Sequence, residues 1–198
     1  MTLIQSRPVH LLQLGSLVLL MIGLSCCGRQ SAKSDAKYDS LFLGISLGME
    51  KKSFYDHCWE LNRQKVVTHG PKNQEVEYLI KGDMKQPVYM RFYPTFYNDH
   101  ILEMPVLYSY ESWAPWNKQL SSDSLLIDVL AYYKNTYGDN FKSLQHKTMG
   151  TVYYKIDGRR RINLFIRDDQ FVQAVFSDMR QLTAQARERE KLVEQQTQ

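Results

Sequence analysis

Residues 151–176, TVYYKIDGRRRINLFIRDDQFVQAVF, decide how the chain folds. The runs 151–156 and 161–166 alternate, the period at which successive side chains point to opposite faces of a strand, and 171–176 is a further strand. Between them stand Asp157-Gly158, a hairpin dipeptide, and the turn Arg167-Asp168-Asp169. Three antiparallel strands follow, and Lys142 to Lys147 supplies a fourth upstream. Further upstream, Ser121-Ser122-Asp123 offers N-cap oxygens, and Leu126, Val129, Leu130, Tyr133 and Tyr137 recur at helical spacing. Gly138 then stands where a helix C-cap glycine belongs.

The same order occurs earlier in the chain. Residues 50–64 predict a helix, with Phe54, Cys58 and Leu61 on one face; Gly48 and Met49 open it, and Ser53 is a later cap. Strands are expected at Lys65 to Thr68, Glu75 to Lys81, Pro87 to Phe96 and Ile101 to Tyr110. The turn signals between them are Gly70-Pro71-Lys72-Asn73 and Asn98-Asp99. Pro94 and Pro105 cannot donate ladder hydrogen bonds and favour edges or bulges. The expected fold class is α+β: tandem helix-plus-antiparallel-sheet units spanning 41–112 and 121–177, joined by a linker at 113–120. A C-terminal polar helix and tail, 178–198, carries a thin apolar stripe of Met179, Leu182 and Ala186. Thirteen Tyr, eight Phe and three Trp suit a sheet-rich domain.

The N-terminus reads as an address. Arg7 is the one charge before an uncharged run from Leu11 to Leu24, the length of a signal-peptide apolar region and short for a spanning helix of about 20 residues. The run ends in Leu24-Ser25-Cys26-Cys27-Gly28, which resembles the lipobox of bacterial lipoproteins. Acylation of Cys27 leaves Cys26 in the last small position, and acylation of Cys26 puts Gly23 where an apolar residue is usual. Residues 1–26 are thus expected to be a lipoprotein signal peptide and 27–40 a flexible tether, with the folded part starting near Leu41. An ordinary secretory signal or an uncleaved N-terminal anchor is the alternative, and all of these export the chain.

Charge and cysteine count narrow the function classes. The formal charge of +4 is too mild to imply nucleic acid as a partner. Arg159-Arg160-Arg161, the dense basic run, reads either as a solvated hairpin end or as a contact for anionic head groups. Outside the lipobox the one cysteine is Cys58, which reads as a packed thiol.

The lipobox, the helix opening Gly44-Ile45-Ser46-Leu47-Gly48-Met49 and Tyr137-Gly138 together resemble the SmpA/OmlA group of small outer-membrane lipoproteins. The tandem version of that unit is the fold of the β-lactamase inhibitor protein. The likeness runs over residues 41–177 in order of elements; Asn62-Arg63 departs from it, standing where the first helix of such proteins ends in Leu-Gly. The resemblance implies a lipid-anchored protein of the cell envelope, at the outer membrane of a Gram-negative bacterium, that acts through protein contacts and not through catalysis.

No metal or cofactor site is expected, because His57 and Cys58 are adjacent and diverge on a helix, while His69, His100 and His146 are isolated. Asp99-His100 lacks an evident nucleophile, and Gly44 and Gly48 form neither a P-loop nor a dinucleotide fingerprint. The aromatic groups are the candidate contact residues: Trp113 and Trp116 flanking Pro115, and Tyr89, Tyr93, Tyr108 and Tyr110 along one sheet face. They either bind a partner or fill the seam between the two units. The expected function is a noncatalytic, membrane-anchored envelope lipoprotein that binds another envelope protein. The alternatives are an exported hydrolase using His57, His100 or His146 as base, and a carrier of an apolar or carbohydrate ligand.

Overall fold

The computed structural model describes residues 37–196. Cys26, Cys27, the signal segment and most of the expected tether lie outside the described residues. Helix α1 spans Lys51–Arg63 and is followed by β1 (Thr68–His69), β2 (Val76–Ile80), β3 (Val88–Phe92), β4 (Thr95–Tyr97) and β5 (His100–Tyr110). After a short 3-10 turn at Lys118–Leu120 come α2 (Ser122–Tyr137), β6 (Lys142–His146), β7 (Gly150–Asp157), β8 (Arg160–Ile166), β9 (Val172–Asp178) and α3 (Met179–Gln196). The protein is α+β: one nine-stranded antiparallel sheet with a C-terminal helix.

The strand order is β1-β2-β3-β5-β9-β8-β7-β6, with β4 paired to the start of β5. The order is palindromic about the β5–β9 pair, so the last strand of each half meets the other at the centre. Along those strands the side-chain alternation sends Met90, Phe92, Met104, Val106, Tyr108, Ile162, Leu164, Val172, Ala174 and Phe176 to one buried face. Leu125, Val129 and Tyr133 of α2 pack on that face. Full burial of each such side chain contributes about 1.5–3 kcal/mol, so this face dominates the stability. Pro105 sits inside the central strand β5 opposite Val175, where the β3 pairing has already ended at Phe92–Val106 and that of β4 starts only at Glu103. Its missing N–H is tolerated at that break in the ladder.

Two expectations are corrected. The tether was expected to reach residue 40, yet Asp39 and Ser40 belong to the folded domain. Leu47 N–H donates to the Asp39 carbonyl at 2.9 Å, and Ser40 bridges to Ser46. Phe42 then wedges against Phe92 and Phe176, at ring separations of 4.9 and 5.8 Å, tying both halves of the sheet.

The arginine run is also different from either expectation, because Arg159 and Arg160 turn inward. Gly158, at φ 56°, takes the first central position of the β7–β8 hairpin, as in a type II′ turn, and the loop closes between Asp157 and Arg160. Arg160, 4 % exposed, donates to the Ser40 carbonyl at 2.6 Å and to Asp157 at 3.1 Å, and its guanidinium lies 4.8 Å from the centre of the Tyr137 ring. Lys155 pairs with the same Asp157 at 3.0 Å. Composition alone marks such charges as solvated, whereas here Asp157 within the hairpin and Ser40 and Tyr137 from distant segments hold them.

Candidate functional site

The aromatic residues singled out from the sequence do not assemble into one face. Tyr108 and Tyr110 lie under α2: the Tyr108 and Tyr133 hydroxyls are 2.9 Å apart, and Tyr110 donates to Asp128 at 2.8 Å. Burial holds both Tyr108 and Tyr110 above the usual tyrosine pKa. Tyr89 points to the opposite face of the sheet, since it pairs with Ser109 while Met90 pairs with Tyr108. Trp113 packs half-buried against the core and borders a hollow of about 450 Å³ beside the start of α2, shared with Asp123, Asp168 and Asp169. Trp116 is 82 % exposed.

Tyr93 belongs to the better-formed site. Tyr55 and Trp59 stand one helical turn apart on α1, beside the buried anchor Phe54, so their rings project along one side of the helix. Tyr93, just beyond the end of β3, brings its hydroxyl to 2.6 Å from that of Tyr55, and this bond together with partial burial raises its pKa. The β1–β2 turn closes the other wall. Lys72 and Asn73 there adopt left-handed backbone angles, φ 59° and 56°, that present Asn73, Gln74 and Glu75 to the groove. The enclosed volume is about 540 Å³. Tyr55 and Trp59 were missed in the sequence, although a Trp off the apolar Phe54–Cys58–Leu61 stripe of an amphipathic helix was the available signal.

Cys58 and His69 border the same groove, and no hydrogen bond joins them among the described residues. Burial pushes the Cys58 thiol up to about 11, the opposite of what a nucleophilic thiolate requires. The other candidate bases are occupied locally. His57 Nε2 lies 2.6 Å from the Leu43 carbonyl, His100 Nδ1 lies 2.6 Å from the Asn98 carbonyl, and His146 Nδ1 receives the Thr148 N–H at 3.3 Å. Among the described residues no group of three or more His, Cys, Asp or Glu is placed to hold a metal ion.

A second surface is the sheet face turned away from α1 and α2. Leu79, Tyr89, Leu107, Phe165 and Val175 lie there half-buried across β2, β3, β5, β8 and β9. The Arg91–Glu77 pair, at 2.7 Å, is set among them. Helix α3 leaves the end of β9, capped by Asp178 Oδ1, which accepts the Arg180 and Gln181 N–H groups at 3.0 and 3.1 Å. Its far part meets Tyr97, whose hydroxyl donates to Glu188. Among the described residues no helix is long and apolar enough to cross a membrane.

Comparison with known proteins returns no match: no family model, no curated protein and no solved structure is similar to this chain.

Proposed function

We propose that the protein is a noncatalytic, membrane-anchored envelope lipoprotein of a Gram-negative outer membrane, and that the open face of its sheet docks another envelope protein. The observation that carries the docking surface is the set of apolar and aromatic side chains left only partly buried there, Leu79, Tyr89, Leu107, Phe165 and Val175, spread over five strands. An antiparallel sheet commonly leaves one face to solvent, and that face is then polar. Here Leu79, Tyr89, Leu107, Phe165 and Val175 stand among Glu77, Arg91, Asn163 and Gln173, a mixture of apolar and polar side chains of the kind that contact surfaces carry.

The anchor rests on the lipobox at Cys26-Cys27. About a dozen residues separate Cys27 from Asp39, which is bonded to Arg159, and a chain of that length reaches at most roughly 40 Å, enough to hold a domain just off a bilayer. The palindromic strand order is what two consecutive helix-plus-meander units generate when their last strands pair. This supports reading the chain as a tandem arrangement of the β-lactamase-inhibitor-protein type, with kinship to the SmpA/OmlA lipoproteins.

Two experiments on the full-length chain in cells test this. Palmitate labelling should persist in one of the single variants Cys26→Ser and Cys27→Ser and vanish in the other; an unlabelled parent chain would overturn the anchor. A photo-crosslinking side chain at position 89 or 165 should trap one discrete envelope protein. The same probe at Ile127, 64 % exposed on α2, should not. Equal crosslinking from the two surfaces would sink the docking surface.

A further inference from the structure

We propose that the groove between α1 and the β1–β2 turn is a binding site for an uncharged oligosaccharide. It lies apart from the open sheet face and does not depend on what docks there.

Shape and chemistry select this ligand class together. Three rings line the groove with solvent-facing surface, Trp59 at 68 %, Tyr55 at 42 % and Tyr93 at 40 %. The Tyr55–Tyr93 hydroxyl contact fixes two of them relative to each other across two elements of the fold. Rigid rings that present apolar faces in water suit a ligand with its own flat apolar faces, and a pyranose offers its axial C–H groups in that way. The opposite wall supplies hydrogen-bonding groups, with Asn73, Gln74 and Glu75 as neighbours. A sugar presents hydroxyls around its rim that match these acceptors and donors. A purely aliphatic ligand would leave them desolvated without partners, at a cost of about 1–3 kcal/mol each.

Charge separates the remaining classes. Among the described residues no Lys or Arg lines the groove, whereas two carboxylates, Asp56 and Glu75, do. Anionic ligands, phosphate among them, are therefore disfavoured. A cationic ligand would need a carboxylate held against the rings, whereas Asp56 is engaged by Lys52 at 2.6 Å and Glu75 stands on the wall opposite the rings. A volume of about 540 Å³ accommodates two to three sugar rings and falls within the usual range for small-ligand sites.

The test uses the full-length chain in a nonionic polyoxyethylene detergent, which carries neither sugar nor choline. Cellotetraose, tetraacetylchitotetraose, inorganic phosphate and choline are titrated against tryptophan emission and by calorimetry. At least one of the two neutral oligosaccharides should bind. Its affinity should fall roughly thirtyfold in Trp59→Ala, the loss expected when a central aromatic contact is truncated. Trp116→Ala, on the exposed linker, should bind as the parent does and serves as the fluorescence control. Trp59 is mostly exposed, so its removal should leave the far-ultraviolet circular dichroism unchanged; Tyr93→Phe, which breaks the hydroxyl contact, is the second variant. Binding of choline or phosphate with neither oligosaccharide overturns the assignment, as does oligosaccharide binding that is unaltered in Trp59→Ala and Tyr93→Phe.

Discussion

Arg159 grips Asp39 through two parallel hydrogen bonds, Nε to Oδ1 at 2.7 Å and Nη2 to Oδ2 at 2.6 Å, across 120 positions of the chain. Its remaining nitrogen, Nη1, reaches the fully buried Asp178 at 2.9 Å. One guanidinium thus locks Asp39 to the β7–β8 hairpin and to the cap of α3. Asp39→Asn weakens a partly exposed pair and should cost about 1 kcal/mol. Arg159→Ala strips a buried carboxylate of its charge partner and should cost more, about 2–3 kcal/mol, because the backbone N–H groups of α3 still satisfy part of Asp178. Urea unfolding midpoints measure the order; equal losses would show that Asp178 does not need the arginine.

The hydroxyls of Tyr108 and Tyr133 are each other's partners in the core, and desolvation holds both groups well above the tyrosine value of 10.0. Tyr137, set edge-to-face against Tyr133 at 5.2 Å between ring centres, is raised for the same reason. Such a group keeps its proton in the folded state after the unfolded chain has lost it. The stabilisation is therefore complete below pH 10 and drains away above it, by about 1.4 kcal/mol per pH unit for each of the three. A cooperative alkaline transition should result, with tyrosinate absorbance and loss of circular dichroism rising together. Ionisation of all thirteen tyrosines before any loss of circular dichroism would contradict the buried cluster.

Helix α2 and strands β7 to β9 were legible in the sequence because of their periodicity and explicit punctuation, from Ser121 and Gly138 to Asp157-Gly158. Strand β1 was not: expected at Lys65 to Thr68, it is only Thr68–His69, since Val66 N–H still closes a turn onto the Leu61 carbonyl. The pairing of β5 with β9 joins residues about 70 positions apart, and nothing local encodes it. The same limit misplaced the tyrosines. Alternation assigns faces within a strand, but placing Tyr89 and Tyr108 on one side requires the cross-strand register, and Met90, not Tyr89, is the partner of Tyr108. The groove was hidden for a related reason, because Tyr55, Trp59, Tyr93 and residues 73–75 meet only when α1 has docked.

Cys58 provides a probe of that groove. Its thiol, held near 11 by burial, has about a hundredfold less thiolate at neutral pH than an ordinary cysteine near 9. Alkylation followed by peptide mass mapping, which separates Cys58 from Cys26 and Cys27, should be slow at pH 7 and accelerate steadily toward pH 11. A rate at pH 7 equal to that of an unfolded control would mean that the α1 wall is open. A bound oligosaccharide should slow the reaction further at every pH.

At Gly44 and His57 two penalties of substitution are separable. Gly44 has φ +77°, in the left-handed region, and a Cβ added to it would lie 3.1 Å from His57 Nε2. That nitrogen is the one held 2.6 Å from the Leu43 carbonyl, so the imidazole cannot move aside without losing its partner. The backbone strain of Gly44→Ala amounts to about 1–2 kcal/mol, and the displaced histidine bond adds about 1 kcal/mol. Gly44→Ala should therefore lower the urea midpoint by more than strain alone explains. Added to a His57→Ala background, the same substitution retains its strain but has no ring to collide with, so the double variant should be less damaged than the sum of the singles. Strict additivity would show that the ring yields freely and that only the backbone angle demands glycine.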